Sequence, residues 1–270
     1  MKLFCRKTGQ GPPLIILHGL YGSSDNWLTF SRMIEDYFEV FLIDQRNHGQ
    51  SPHSNIHSFQ AMRDDLLEFI ETNSITDPII MGHSMGGKTA MFFAVSFPDK
   101  LKSLIVLDIS PRYYSADDDI NVQHLSHRKI IDILYRFPLS EIQSREQAGK
   151  LLSGEIGSER IRQFLLKNLK RNTDGSFSWK LNIKALKNQT DELFKGLDKN
   201  ELKPYNYPVL FVKGAQSSYI SSADFDLIKD MFPGADIRTI TGAGHWLQAE
   251  KPEELKSLIL NFAMKYNIIH

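Results

Sequence analysis

Cysteine is almost missing from this chain: its 270 residues include one, Cys5, so no internal disulfide can form. Net charge is missing too, because 32 Lys and Arg are matched by 32 Asp and Glu, and no field remains to hold nucleic acid or an anionic membrane surface. No apolar run approaches the ~18 residues that a membrane span requires. The N-terminal stretch MKLFCRKTG lacks the apolar core of a signal peptide, and there is neither an internal repeat nor a low-complexity segment. These absences exclude a disulfide scaffold, a nucleic-acid binder and a membrane-spanning protein. They point to a cytoplasmic protein whose partner is a small molecule. Cys5 falls in the first expected strand, without the basic, part-exposed setting that activates a thiol, and reads as packing.

What is present suits a globular core: 41% of residues are hydrophobic, enough for one large domain or a domain with an insertion. LIIL (Leu14 to Leu17), EVFLI (Glu39 to Ile43), PIIM (Pro78 to Met81) and SLIVLD (Ser103 to Asp108) are short and continuously apolar, as expected of strands buried on both faces of a parallel sheet. Amphipathic segments lie between them, notably SFQAMRDDLLEFIETN and MGGKTAMFFAVSF. That rhythm predicts an α/β fold with a mostly parallel sheet flanked by helices. From about Pro111 to about Pro204 the strand rhythm gives way to charged, leucine-bearing helical patterns, then returns at PVLFVK and DIRTI before a terminal helix. The expected organisation is a discontinuous core, 1–110 and 205–270, with a helical cap over 111–204 beside the carboxyl ends of the strands, where ligands of such sheets bind.

The chemistry is carried by GHSMGG, Gly82 to Gly87. A bare G-x-S-x-G arises by chance in roughly one chain of this length in ten. Here, however, a buried strand precedes it and a helix follows, the context of a strained turn that lifts a serine hydroxyl above a sheet. Ser84 is therefore the expected nucleophile. It needs a base, and His245 in GAGHW lies after the last expected strand, following the nucleophile in chain order. It also needs donors for the oxyanion, assigned to the backbone amides of Leu20, in the turn after the first parallel strand, and of Met85.

The acid has to stand at the carboxyl end of a strand near Ser84, between the serine and the histidine in chain order. Asp108 satisfies both conditions. The loop after PVLFVK offers only Gln216, Ser217 and Ser218, so the preceding strand supplies the carboxylate that this loop lacks. Ser217 is then either a hydrogen-bond partner of Asp108 or ordinary loop polarity. Asp224 and Asp226 are the fallback acids, although they read as the start of a helix.

At these residues the chain resembles an α/β-hydrolase, and within that superfamily it closely resembles the small YbfF-type bacterial esterases, through HGLYGSSDNW, DQRNHGQS, GHSMGGKTAM, LDISPRYY and GAGHW. The resemblance implies an acid at Asp108, a serine at Ser217 where other hydrolases have aspartate, and hydrolysis of short to medium acyl esters or of acyl thioesters such as acyl-CoA. The leading expectation is a cofactor-free ester hydrolase with no metal. Two rivals stand beside this reading: a carbon–carbon bond hydrolase or lyase using the same three residues, and a non-catalytic ligand-binding protein of the same fold.

Other residues draw the eye. His18, His48 and His83 sit in motifs whose turns need a ring donor or acceptor. Asp44 and Arg46 in DQRNHG are expected to anchor a loop through an ion pair. The acids of SADDDI do not converge on a point as metal ligands must. Phe177 and Trp179 alternate on one face of an extended stretch, and either of them, together with Trp246, is a candidate wall of the acyl pocket; packing of the cap is the competing role. Acyl length and oligomeric state have no signature in the pattern.

Overall fold

The computed structural model describes residues 1–115, 126–198 and 207–269. In chain order the first half supplies β1 (Cys5–Thr8), β2 (Pro13–Leu17), α1 (Leu28–Ile34), β3 (Glu39–Ile43), α2 (Phe59–Thr72), β4 (Ile79–His83), α3 (Met85–Ser96) and β5 (Ser103–Leu107). There follow α4 (His127–Arg136), α5 (Arg145–Ser153), α6 (Glu159–Leu166), a hairpin of β6 (Leu169–Arg171) and β7 (Phe177–Trp179), and α7 (Ile183–Asn188). The sheet resumes with β8 (Val209–Gly214), α8 (Asp224–Met231) and β9 (Ala235–Ile240), and the chain closes with α9 (Leu247–Glu250) and α10 (Pro252–Lys265).

Among the described residues, the main sheet has seven strands in the order β1-β3-β2-β4-β5-β8-β9. Within it β1 runs antiparallel to β3, and the other pairings are parallel. The continuously apolar runs split between the two faces with the period of two that a strand imposes. Ile15, Leu17, Leu104, Val106, Val209 and Phe211 join Phe69, Met91 and Ile228 of α2, α3 and α8, while Leu14, Ile16, Ile105, Leu107, Leu210 and Val212 join Phe30, Leu247 and Ile259 of α1, α9 and α10. Each such side chain removed from water contributes about 2 kcal/mol, so a register slip that turned one strand over would be opposed by several residues at once.

The segment between β5 and β8 has its own apolar cluster, including Ile131, Leu134, Leu152, Leu165 and Leu186, joined by Tyr21 from the loop after β2. Among the described residues its four α-helices are capped by Ser126, Ser144, Ser158 and Asn182, and each of these side chains accepts a backbone amide of the first turn, which satisfies a donor that the helix leaves open. The segment is not purely helical as its sequence suggested: β6 and β7 pair antiparallel within it. Where the chain leaves and rejoins the core, the outgoing and returning segments touch. Tyr114 N–H donates to Phe194 O and Leu197 N–H to Pro111 O, both at 2.9 Å.

Beneath that crossing lies Lys88 of α3, 1% exposed. Its ammonium donates to the carbonyls of Arg112 and Lys195, one on each stalk of the insertion. Burial, reinforced by the nearby Arg112, pushes its pKa well below the usual lysine range. Cys5 lies in β1, and burial pushes its thiol up to about 12, which fits packing. No helix among the described residues is long and apolar enough to cross a membrane.

Candidate active site

Ser84 occupies the turn between β4 and α3 with φ 53° and ψ −117°, outside the regions that a non-glycine residue ordinarily populates. The turn closes because its flanks are glycine. A Cβ on Gly82 would overlap the backbone of Gly86, and one on Gly86 would overlap that of Leu17. Ser84 N–H donates to Leu107 O at 3.0 Å, tying the turn to the end of β5. Met85 is the first residue of α3, so its amide has no acceptor within the helix. Leu20 follows Gly19, where a Cβ would lie 3.2 Å from that of Ser84.

Asp108 is the residue after β5. It is fully buried and has φ 51°, and its own N–H donates to Val212 O at 2.8 Å. One carboxylate oxygen, Oδ1, accepts Gly214 N–H at 3.0 Å. The other, Oδ2, lies 2.8 Å from His245 Nδ1 and also accepts the hydroxyl of Ser217. Of the two roles open to Ser217, the structure thus shows the hydrogen-bond partner. Asp224 instead accepts from Ser110 Oγ at 3.0 Å and from Ser221 N–H at 2.7 Å, and pairs with Arg112 Nε at 2.9 Å. It braces the stalk of the insertion rather than His245, and Asp226 sits in the first turn of α8.

His245 lies in the loop between β9 and α9. Its carbonyl accepts from His83 Nε2 at 2.8 Å, and the two imidazole rings are 4.5 Å apart. Burial, followed by the proximity of His245, holds the pKa of His83 well below the usual histidine range. That leaves it a neutral hydrogen-bonding support. On the other side Tyr219 stacks on His245, with ring centroids 4.1 Å apart and planes at 27°.

Among the described residues, two cavities open at Ser84. The larger is bounded by His245, Trp246 and Phe164 with Tyr21, Trp27 and Ile130. The smaller is bounded by Met85, Lys88, Ile109, Tyr114, Leu193 and Phe194. A serine in a strained turn, an imidazole oriented by a buried carboxylate, amides at a helix start and apolar cavities on either side form a constellation suited to acyl transfer.

Residues 12–252 match the family described as alpha/beta hydrolase fold. The chain belongs to that family. Its relatives include the sn-1-specific diacylglycerol lipase ABHD11 of Mus musculus, 36% identical over 253 residues that cover 93% of this chain and 80% of the relative. Esterase YbfF of Escherichia coli is 32% identical over 250 residues, covering 93% of this chain and 92% of the relative. Among solved structures, one described as a marine microorganism esterase is 45% identical with a TM-score of 0.91, covering 97% of this chain and 99% of that one. The chain is thus an α/β-hydrolase of the esterase and lipase type.

Several expectations are corrected in this hydrolase. Phe177 and Trp179 line neither cavity at Ser84. They pack against the cap cluster, where Trp179 Nε1 donates to Leu134 O at 3.2 Å and its ring lies 5.4 Å from that of Phe137. Trp246 does line the larger cavity, with Arg160 over its ring at 4.3 Å. Asp44 and Arg46 do not pair with each other: Arg46 makes a two-pronged ion pair with Asp65 at 2.6 and 2.8 Å, while Asp44 accepts the amides of Ser24 and Gln50 at 2.6 and 2.8 Å. His18 takes Gln45 N–H on Nε2 at 3.0 Å and reaches Gly19 O through Nδ1 at 2.8 Å, and His48 Nδ1 meets Arg46 O at 2.9 Å. These are the turn-bracing roles expected of them. The acids of SADDDI lie outside the described residues.

The sequence reading missed Tyr219, Lys88 and His127. A lysine amid the apolar residues of MGGKTAMFFAV was a visible signal, since a buried ammonium demands acceptors. Tyr219 stands only two residues past Ser217. His127 carried no signal, because its place depends on how the cap docks.

Proposed function

We propose that this hydrolase cleaves carboxylic esters of short to medium acyl chains through Ser84, His245 and Asp108. The observation that carries the reading is the 2.8 Å contact between His245 Nδ1 and the fully buried Asp108, beside a strained serine that lines the same cavity as the imidazole. Asp108 holds the imidazole with Nδ1 protonated, which frees Nε2 to take the proton of Ser84 as its oxygen attacks the acyl carbon. The amides of Leu20 and Met85 receive the oxyanion. His245 then returns the proton to the departing alcohol, and water repeats the sequence on the acyl-enzyme. Ser217 and Gly214 support this by supplying the remaining donors to Asp108, so that the buried carboxylate has its acceptor capacity used.

Acyl thioesters are a second substrate class of the same chemistry, with a thiol in place of the alcohol. The names of the relatives, a diacylglycerol lipase and an esterase, support the ester reading. The cap at 111–204 and the core at 1–110 and 205–270 are the units we assign, with the substrate held between them. The test is reaction with a fluorophosphonate probe, alongside turnover of p-nitrophenyl acetate through decanoate. Labelling that disappears in Ser84→Ala, together with ester turnover by the wild type, is the expected result. Labelling of Ser84 without turnover of any ester, coupled with cleavage of a diketone, would transfer the residues to carbon–carbon chemistry.

A further inference from the structure

Among the described residues, four line both cavities at once: Leu20, Ser84, His127 and Tyr219. Leu20 and Ser84 are the oxyanion side and the nucleophile of the reading above. The other two meet across the boundary between core and cap, where Tyr219 Oη and His127 Nε2 share a hydrogen bond of 3.1 Å. Both partners are held from behind. The Tyr219 ring lies on His245, its N–H donates to Ser217 Oγ at 3.3 Å, and its carbonyl accepts Tyr114 Oη at 2.5 Å. His127 begins α4, its carbonyl accepts Tyr21 Oη at 3.2 Å, and the rings of Tyr21 and His127 lie 5.7 Å apart.

The two cavities differ in what they can do with a proton. A departing alcohol or thiol has to receive it from His245, so the leaving group occupies the larger cavity, which His245 bounds. The acyl chain extends from the same carbon in the other direction, into the smaller cavity of Met85, Ile109, Leu193 and Phe194, whose lining does not include His245. The Tyr219–His127 bridge stands between the two.

We propose that Tyr219 and His127 form the specificity-determining wall of this site: their hydrogen bond separates the acyl arm from the leaving-group arm and sets the longest acyl chain accepted. This rests on the ester-hydrolase reading of Ser84 and His245. Opening the wall joins the two cavities and gives a long chain further apolar surface to cover. Each additional buried methylene then raises kcat/KM about fourfold.

The experiment is kcat/KM for p-nitrophenyl esters from acetate to decanoate, with the leaving group held constant, in wild type, His127→Ala and Tyr219→Phe. Thermal unfolding of each is followed in parallel. The expected result for His127→Ala is a decanoate-to-butyrate ratio of kcat/KM raised by about tenfold or more, carried by KM, as two newly buried methylenes would give. Tyr219→Phe keeps the ring on His245 and loses the hydroxyl, so the ratio rises in the same direction by less. A folded His127→Ala with the wild-type ratio, within about twofold, overturns the wall. If His127→Ala does not fold, an unchanged ratio in Tyr219→Phe does so. Wild type inert on the whole series overturns the ester reading and the wall together, whereas an active wild type with unmoved variant ratios overturns the wall alone.

Discussion

Replacing Asp108 by asparagine tests the orientation of His245 without emptying the site. The new amide has one oxygen and one NH2 where the carboxylate had two acceptors. The main-chain N–H of Gly214 lies 3.0 Å from one side of this group, and His245 Nδ1 lies 2.8 Å from the other. Turning the NH2 towards Gly214 sets two donors against each other in a fully buried place, at about 1–3 kcal/mol. The asparagine oxygen therefore faces Gly214 and its NH2 faces His245 and Ser217. Nδ1 becomes an acceptor, the proton moves to Nε2, and the base is lost to Ser84 although every atom is still in place. The expected loss in kcat is ~10⁴-fold, or about 5.4 kcal/mol of transition-state stabilisation at 1.36 kcal/mol per decade. The assay is steady-state hydrolysis of p-nitrophenyl butyrate with a thermal melt to show an intact fold. A folded Asp108→Asn with kcat within about tenfold of wild type would refute the assignment.

Ser217→Ala removes one donor to Asp108 but leaves the contact with His245, so kcat falls by only about tenfold in the same assay. Ser84→Ala abolishes fluorophosphonate labelling and lowers kcat by ~10³-fold or more. Gly86→Ala drives a methyl into the backbone of Leu17 and lowers the stability measured by urea denaturation by about 1–3 kcal/mol or more. His57 is buried, and this burial, with Arg46 and His18 nearby, pulls its pKa down to about 3. Below about pH 6.5 the unfolded chain gains a proton that the folded one refuses. Stability therefore falls as pH drops from there towards about 3, at roughly 1.4 kcal/mol per pH unit for this residue. Urea denaturation at a series of pH values should show a shallower decline in His57→Gln.

The sheet was legible because burial on both faces leaves a coarse mark: Ile15 and Ile16 point to opposite clusters and both have to be apolar. The contact of Asp108 with His245 was legible for a related reason. Asp108 follows a strand that lies beside the one leading into Ser84, and parallel pairing brings equivalent ends together. Docking leaves no such mark. Phe177 and Trp179 alternate on one face as a pocket wall would, yet the face they share turns into the cap, and nothing in the local pattern distinguishes the two environments. Asp44 and Arg46 are close in the chain and opposite in charge, but Asp65, on α2, supplied the better-placed partner for the guanidinium. His127 and Tyr219 lie 92 residues apart, and only tertiary packing brings them to the same hydrogen bond.

The crossing of the two stalks above Lys88 bears on how substrate range can change. Because Tyr114 and Phe194, and likewise Pro111 and Leu197, are joined by main-chain hydrogen bonds, the core meets the insertion as a closed loop whose ends are already together. The entropy of closing such a loop grows only with the logarithm of its length. Residues added or removed beyond the crossing therefore disturb the sheet and the Ser84 turn little. Lys88 ties this tolerance to a condition, since the stalk residues Arg112 and Lys195, whose carbonyls accept from its buried side chain, have to stay in place. Within that condition the insertion beyond the crossing can be lengthened, shortened or exchanged as a cassette while Ser84, Asp108 and His245 stay where they are.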